Sequence, residues 1–125
     1  MHKSRLGALV IDCQTDDLSD ATAFWSAALG RDADINDQHN PRYVKLADKA
    51  GEMQVLLQQV DHPSWIHIDI ETDDMTAEVL RLEALGAHVI GQIKTWTVME
   101  APTGHCFCVV NPVRDKFKQG ANQWS

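Results

Sequence analysis

Long apolar runs are missing from this chain, and so is any excess of positive charge. No stretch approaches the roughly 20 apolar residues that a membrane-crossing helix needs, so no membrane partner is expected. Eleven Lys and Arg stand against eighteen Asp and Glu, a net charge of −7. A nucleic-acid partner requires a basic footprint, and none is present. Behind Met1-His2-Lys3-Ser4-Arg5 there is no apolar run, so no secretory leader is expected. Cysteine is scarce and odd in number, with three in all. Cys106 and Cys108 lie two apart on what reads as one strand, where extended backbone disfavours a mutual disulfide. A reducing cytoplasm is the simplest expectation. The chain also lacks a P-loop, a GxGxxG, a GxSxG and a CxxC.

What is present is an internal repeat. Ile11-Asp12-Cys13-Gln14-Thr15-Asp16-Asp17-Leu18 returns as Ile68-Asp69-Ile70-Glu71-Thr72-Asp73-Asp74-Met75, an offset of 57 residues (68 − 11). A fixed offset signals a duplicated supersecondary unit. With 125 residues, 44% of them apolar, the chain is long enough for one domain with a core. The repeat divides it into module one at about residues 6–60 and module two at about 64–111, with a tail over 112–125.

Each copy begins with a strand. Leu6 to Cys13 reads as the first, and Trp65 to Glu71 as its equivalent. In the latter Ile66, Ile68 and Ile70 form one apolar face, while Trp65, His67, Asp69 and Glu71 form the other. Alternation of this kind predicts one face on a core and the other toward solvent or a cavity. A helix follows each strand. Asp16 or Asp17 caps the first, which buries Leu18, Ala21, Trp25, Ala28 and Leu29 and stops at Gly30. Asp73 or Asp74 caps the second, which buries Met75, Val79, Leu82 and Leu85 and stops at Gly86. Arg31 to Pro41 is polar loop with a short strand near Ala33–Ile35. Tyr43 to Ala47, Met53 to Val60, His88 to Ile90, Lys94 to Glu100 and His105 to Val110 read as further strands. Turns fall at Lys49-Ala50-Gly51 and Ala101-Pro102-Thr103-Gly104. The tail is either disordered or docked through Phe117 and Trp124. Each half is strand–helix–strand–strand–strand, and the helices cover one sheet face in an α+β layer architecture.

Several of these residues together resemble the vicinal-oxygen-chelate superfamily, which includes glyoxalase I, bleomycin-resistance proteins and extradiol dioxygenases. The marks are Asp17-Leu18 with Phe24-Trp25 and Leu29-Gly30, then His67-Ile68-Asp69-Ile70, then Leu82 to Ala87, then Pro102-Thr103-Gly104-His105 running into Phe107-Cys108-Val109. The likeness covers about Leu6 to Asn111, in the glyoxalase-like branch. It implies two βαβββ modules whose curved mixed sheets enclose a cavity. It further implies that metal-using members carry ligands on the first and last strands of each module. Those positions fall on Val10, near Val55, on His67 and on Cys108. Valine cannot ligate, and the hard divalent ions of such sites prefer oxygen and nitrogen. A register shift of one or two residues brings in Gln58, Gln59, His105 or Glu100.

His67 is the leading catalytic or ligand-orienting candidate, because a neutral imidazole there serves either role near pH 7. Glu100, just before the last turn, is the second catalytic candidate; a solvated strand-end acid is the alternative. Asp12 and Asp69 are repeat equivalents, read either as an acid–base pair or as structural acceptors. Trp65 and Trp96 would stack a flat or cationic ligand, or pack in a core or dimer interface. Cys108 completes the ligand-binding set, with a buried small hydrophobe as its plainer reading. The expectation is a protein that binds a small molecule in the cavity between its modules, without cofactor and without the usual divalent metal, and that pairs as a homodimer. The alternatives are a metal-dependent lyase, isomerase or dioxygenase with a displaced ligand set, and a non-catalytic assembly or regulatory module.

Overall fold

The computed structural model describes residues 1–34, 41–112 and 117–125, the side chain of Lys118 excepted. In chain order the elements are β1 (His2–Gln14), α1 (Ser19–Leu29), β2 (Tyr43–Lys45), β3 (Val55–Val60), β4 (Trp65–Thr72) and α2 (Met75–Ala84). β5 (His88–Ile93), β6 (Trp96–Glu100), β7 (Cys106–Val110), α3 (Phe117–Gly120) and β8 (Asn122–Trp124) follow. The chain divides into two compact units. The first is Ala8–Ile66; the second is Met1–Gly7 together with His67–Ser125.

In the first unit β1 runs parallel to β3, and β3 pairs antiparallel with β2. α1 lies against a core of Ile11, Cys13, Leu18, Leu46, Val55 and Leu57 through Ala21 and Trp25. Its start is tied by Asp17, whose Oδ1 accepts from the Ser19 N–H at 2.8 Å and the Ser19 hydroxyl at 2.6 Å. Its end is Gly30, at φ 67°, a left-handed cap that glycine adopts without strain. Ala28 and Leu29 are exposed rather than buried, because the helix meets the core only through its earlier turns. The short strand expected at Ala33–Ile35 reduces to a single bridge, Ala33 to Leu46, with the Asp34 N–H donating to the Lys45 carbonyl at 2.7 Å. Ile35 lies outside the described residues.

In the second unit β4 runs parallel to β7, β7 antiparallel to β6, and β6 antiparallel to β5. α2 covers one face, building a core of Leu82, Ala87, Met99, Phe107 and Val109 with Ile70, Met75 and Val79 against it. Asp74 caps α2 by accepting from the Ala77 N–H at 3.0 Å. Leu85, expected inward, is 66% exposed because it sits past the last helical turn. Glu78 takes a buried place on that helix instead, at 0% exposure.

This unit is larger than the repeat alone suggests. β1 begins at His2 rather than Leu6, and its opening residues serve the second unit. Lys3 N–H donates to the Asp73 carboxylate at 2.8 Å, and the Thr72 hydroxyl donates to the Lys3 carbonyl at 2.9 Å. An edge at the end of β4 that would otherwise present open backbone groups is thereby paired. The tail docks: β8 pairs antiparallel with the start of β1. The Trp124 indole N–H donates to Ser4 Oγ at 2.8 Å, and the Arg81 guanidinium lies 3.9 Å from the Trp124 ring centre. Phe117 is buried, with Arg5 over its ring at 5.2 Å. Among the described residues no helix is long and apolar enough to cross a membrane.

Candidate functional site

The sheet of the second unit has one face under α2 and one face free of it. Directly paired residues on neighbouring strands project to the same side. Asp69 pairs with Cys108, and Cys108 with Val98; Glu100 pairs with Cys106. His67 lies two residues before Asp69, and Trp96 two before Val98, so both fall on that side. The opposite side carries Ile70, Phe107, Val109 and Met99, the residues packed against α2. Five sequence-singled residues of this unit, His67, Asp69, Trp96, Glu100 and Cys108, therefore share one face.

Three of them converge. One ligand-type atom each from His67, Asp69 and Cys108 lies within 4.8 Å of the other two. His67 Nε2 stands 3.5 Å from Asp69 Oδ1, with the two side chains 12% and 15% exposed. The burial of β4 departs from the expected polarity. Its polar residues His67, Asp69 and Glu71 are sheltered, while Ile66 and Ile68 are 52% and 39% exposed. The reason is local: α2 and its core reach Ile70 and leave the earlier isoleucines uncovered.

The remaining candidates do not join this group of three. Glu100 is paired with His88, 3.3 Å between Oε1 and Nε2 across the β5–β6 ladder. Trp96 is half-buried on the shared face. Trp65 opens β4 at 56% exposure and belongs to the first unit. Asp12 is buried in the first unit, its Oδ2 3.9 Å from His62 Nε2.

The strand register corrects one repeat equivalence. Asp12 lies opposite Gln58, as Asp69 lies opposite Cys108. The counterpart of Cys108 is therefore Gln58, not Val55. Val55 lies opposite Leu9 and packs in the helix-side core. The offset shrinks from 57 between the first strands (69 − 12) to 50 between the last (108 − 58). Counting from the turn glycine fails because Gln58 follows Gly51 by seven residues and Cys108 follows Gly104 by four. Gln58 donates from its amide to the Tyr43 hydroxyl at 3.0 Å.

The cysteines differ in chemistry. Burial first, and the Asp12 charge second, push the Cys13 thiol above its ordinary range. Cys106 is exposed and Cys108 half-buried. Thiolate content and access control alkylation. Limited iodoacetamide labelling read by peptide mass spectrometry is expected to modify Cys106 first and Cys13 last, with about a tenfold or greater rate gap. Equal rates at Cys13 and Cys106 would contradict the burial described.

A glyoxalase-like domain model matches residues 8–110 of the chain. The chain belongs to the glyoxalase-like domain family. Solved structures share its α+β fold. Methylmalonyl-CoA epimerase from Mycobacterium tuberculosis is 18% identical, covers 87% of this chain and 88% of its own, and superposes with a TM-score of 0.62. A hypothetical protein from Bacillus halodurans is 13% identical over 90% of this chain and 96% of its own, with a TM-score of 0.61. A glyoxalase/bleomycin resistance protein/dioxygenase superfamily member from Vibrio splendidus is 16% identical over 85% and 97%, with a TM-score of 0.56. No curated protein matches the chain. The vicinal-oxygen-chelate resemblance and the two-module α+β architecture are thus correct readings of the sequence.

The glyoxalase-like fold raises the question of a four-residue metal centre. With the register corrected, the four matched positions hold Val10, Gln58, His67 and Cys108. Val10 offers no donor atom, and thiol sulfur is a poor ligand for hard divalent ions. The usual donor set does not fit these residues.

Proposed function

We propose that this glyoxalase-like protein binds a small organic molecule on the helix-free face of its second unit, without a metal in the usual four-residue arrangement. The observation that carries the reading is the gathering of His67, Asp69, Trp96 and Cys108 on one sheet face opposite α2. An imidazole and a carboxylate at partial burial give directional polar contacts, and an indole gives a stacking surface. Asp69, Glu100 and the net charge of −7 favour a neutral or cationic ligand over an anionic one. Bleomycin, cationic and partly aromatic, is the first probe. Titration followed by tryptophan fluorescence is expected to saturate. His67→Ala is expected to weaken binding by about tenfold or more, the usual cost of a hydrogen bond to a charged partner. Saturation unchanged by His67→Ala would sink the assignment of this face.

A homodimer is part of the proposal. Leu6 and Ile68 of the second unit stand 45% and 39% exposed, on strand surface left uncovered by α2. Light scattering on the purified chain is expected to give twice the 14.0 kDa chain mass; a monomer at micromolar concentration would contradict it. A metal-dependent lyase, isomerase or dioxygenase with a displaced ligand set is the second reading. It is favoured by the convergence of His67, Asp69 and Cys108.

A further inference from the structure

We infer that β5 is a self-association edge: two copies of the chain join β5 to β5, antiparallel about a two-fold axis, into one continued sheet. The inference rests on the homodimer reading and names a contact for it. β5 pairs with β6 on one side, and among the described residues no strand pairs its other side. The outer strand of the first unit is not open in this way. Ala33 bridges to Leu46 beside β2, and the Asp34 N–H bonds the Lys45 carbonyl. An open edge presents backbone donors and acceptors to any strand that fits. On β5 that edge is apolar as well, with Val89, Ile90 and Ile93 at 43%, 54% and 50% exposure.

The occupant follows from the bulge. His88 pairs with Glu100, Gly91 with Val98 and Ile93 with Trp96, all toward the helix-free side. Val89 pairs with Met99 and Gln92 with Thr97, toward α2. The register shifts between Val89 and Gly91, which leaves Ile90 as the extra residue. Strict alternation would put His88 and Ile93 on opposite sides, because they are an odd number of residues apart. The extra residue brings them to the same side, so the sequence of sides reads alike from either end of β5. A second β5 therefore fits with His88 opposite Ile93, Val89 opposite Gln92, and the axis between Ile90 and Gly91. A regular strand from an unrelated protein meets this bulge out of step, whereas the chain's own copy carries the matching one. Charge agrees with the same arrangement. Exposed Lys94 follows one end of β5, and His88 stands at the other with Glu100 at 3.3 Å. Antiparallel pairing sets the Lys94 end of each copy beside the Glu100 end of the other. The row Cys106, Glu100, His88 then continues into Ile93 and Trp96 of the second copy, so the helix-free face runs across the pair.

The test uses full-length protein and sedimentation over a range of concentrations. Ile90→Lys and Ile90→Glu each bring two like charges together beside the axis, and each is expected to weaken pairing tenfold or more. An equimolar mixture of the two variants is expected to recover the dimer, because opposite charges then meet. Lys94→Glu lies beyond the strand and is expected to weaken pairing threefold or more; it keeps the test open if the Ile90 variants do not fold, as judged by circular dichroism and thermal melts. Amide hydrogen exchange of the wild-type chain is expected to slow in β5 as concentration rises. A dimer indifferent to Ile90 and Lys94, or a mixture that stays monomeric, overturns this edge and leaves the homodimer reading standing. A monomeric wild-type chain removes that reading and this contact with it. A monomer whose β5 amides are protected only by an added valine–threonine heptapeptide assigns the edge to a different partner and overturns self-association.

Discussion

Replacing Glu78 with alanine is expected to lower the melting temperature by about 10 °C. Glu78 is fully buried on α2 and accepts from Arg81 Nε and Nη2, each at 2.8 Å, and from His2 Nε2 at 2.8 Å. Arg81 in turn lies over Trp124 of β8. One carboxylate thus ties α2 to the first residues of the chain and, through Arg81, to the last. Removing one partner of a buried charge pair leaves the other without compensation, at about 3–5 kcal/mol. Arg81 keeps 25% of its side chain exposed and recovers some hydration, so the lower end applies, about 3 kcal/mol. For a chain of this size each kcal/mol shifts the midpoint by about 3–4 °C. A scanning-calorimetry shift under 3 °C would contradict the role given to Glu78.

The same residue sets a pH dependence. Burial pushes the Glu78 carboxyl up, but the bonds from Arg81, His2 and Ser4 outweigh it and hold the group below its ordinary 4.5. A carboxyl depressed in the folded state stabilises that state whenever it is ionised. Its contribution is present in full above about pH 4.5 and is lost as pH falls through the lower folded value. Glu78→Gln is expected to flatten the acid limb of the stability curve and leave the shape above it unchanged.

The second large effect is at Gly7. A Cβ there would stand 2.5 Å from Glu71 Cγ, 2.8 Å from Oε1 and 3.0 Å from Cδ. Glu71 is fully buried beside Arg5, with Nη2 to Oε2 at 3.6 Å. Overpacking of this kind costs about 1–3 kcal/mol, and displacing a buried carboxylate from its cation adds to it. Gly7→Ala is expected to lose about 3 kcal/mol in urea unfolding. Gly7→Ala combined with Glu71→Ala is expected to lose less than the sum of the single variants, because the clash is gone. Strict additivity would show that the two do not meet.

The framework was legible because it rests on local rules. The repeat located both first strands, Asp74 and Gly30 bounded helices as their chemistry demands, and the alternation in β4 put His67 and Asp69 on one side. What stayed hidden depends on chain segments distant in sequence. Glu78 occupies the outward-looking side of an amphipathic helix; it is met there by His2 and, through Arg81, by Trp124 of the tail, each more than forty residues away from it along the chain. Arg5 and Glu71 pair across strands that the repeat does not connect. Gln58 was missed as the counterpart of Cys108 because strand register, not distance from a turn glycine, sets equivalence. The convergence of His67, Asp69 and Cys108 was within reach. Its signal was the parallel pairing of two strands whose polar residues share one parity.

The helix-free face of β4, β7 and β6 is the proposed binding face of this protein. Nuclear magnetic resonance chemical-shift mapping with a library of small neutral and cationic aromatic fragments tests it without knowledge of the natural ligand. The expected result is that shifts cluster on His67, Asp69, Trp96, Val98 and Cys108 and fade in His67→Ala. Shifts clustered on α2, or spread over the surface with that face silent, would contradict the claim.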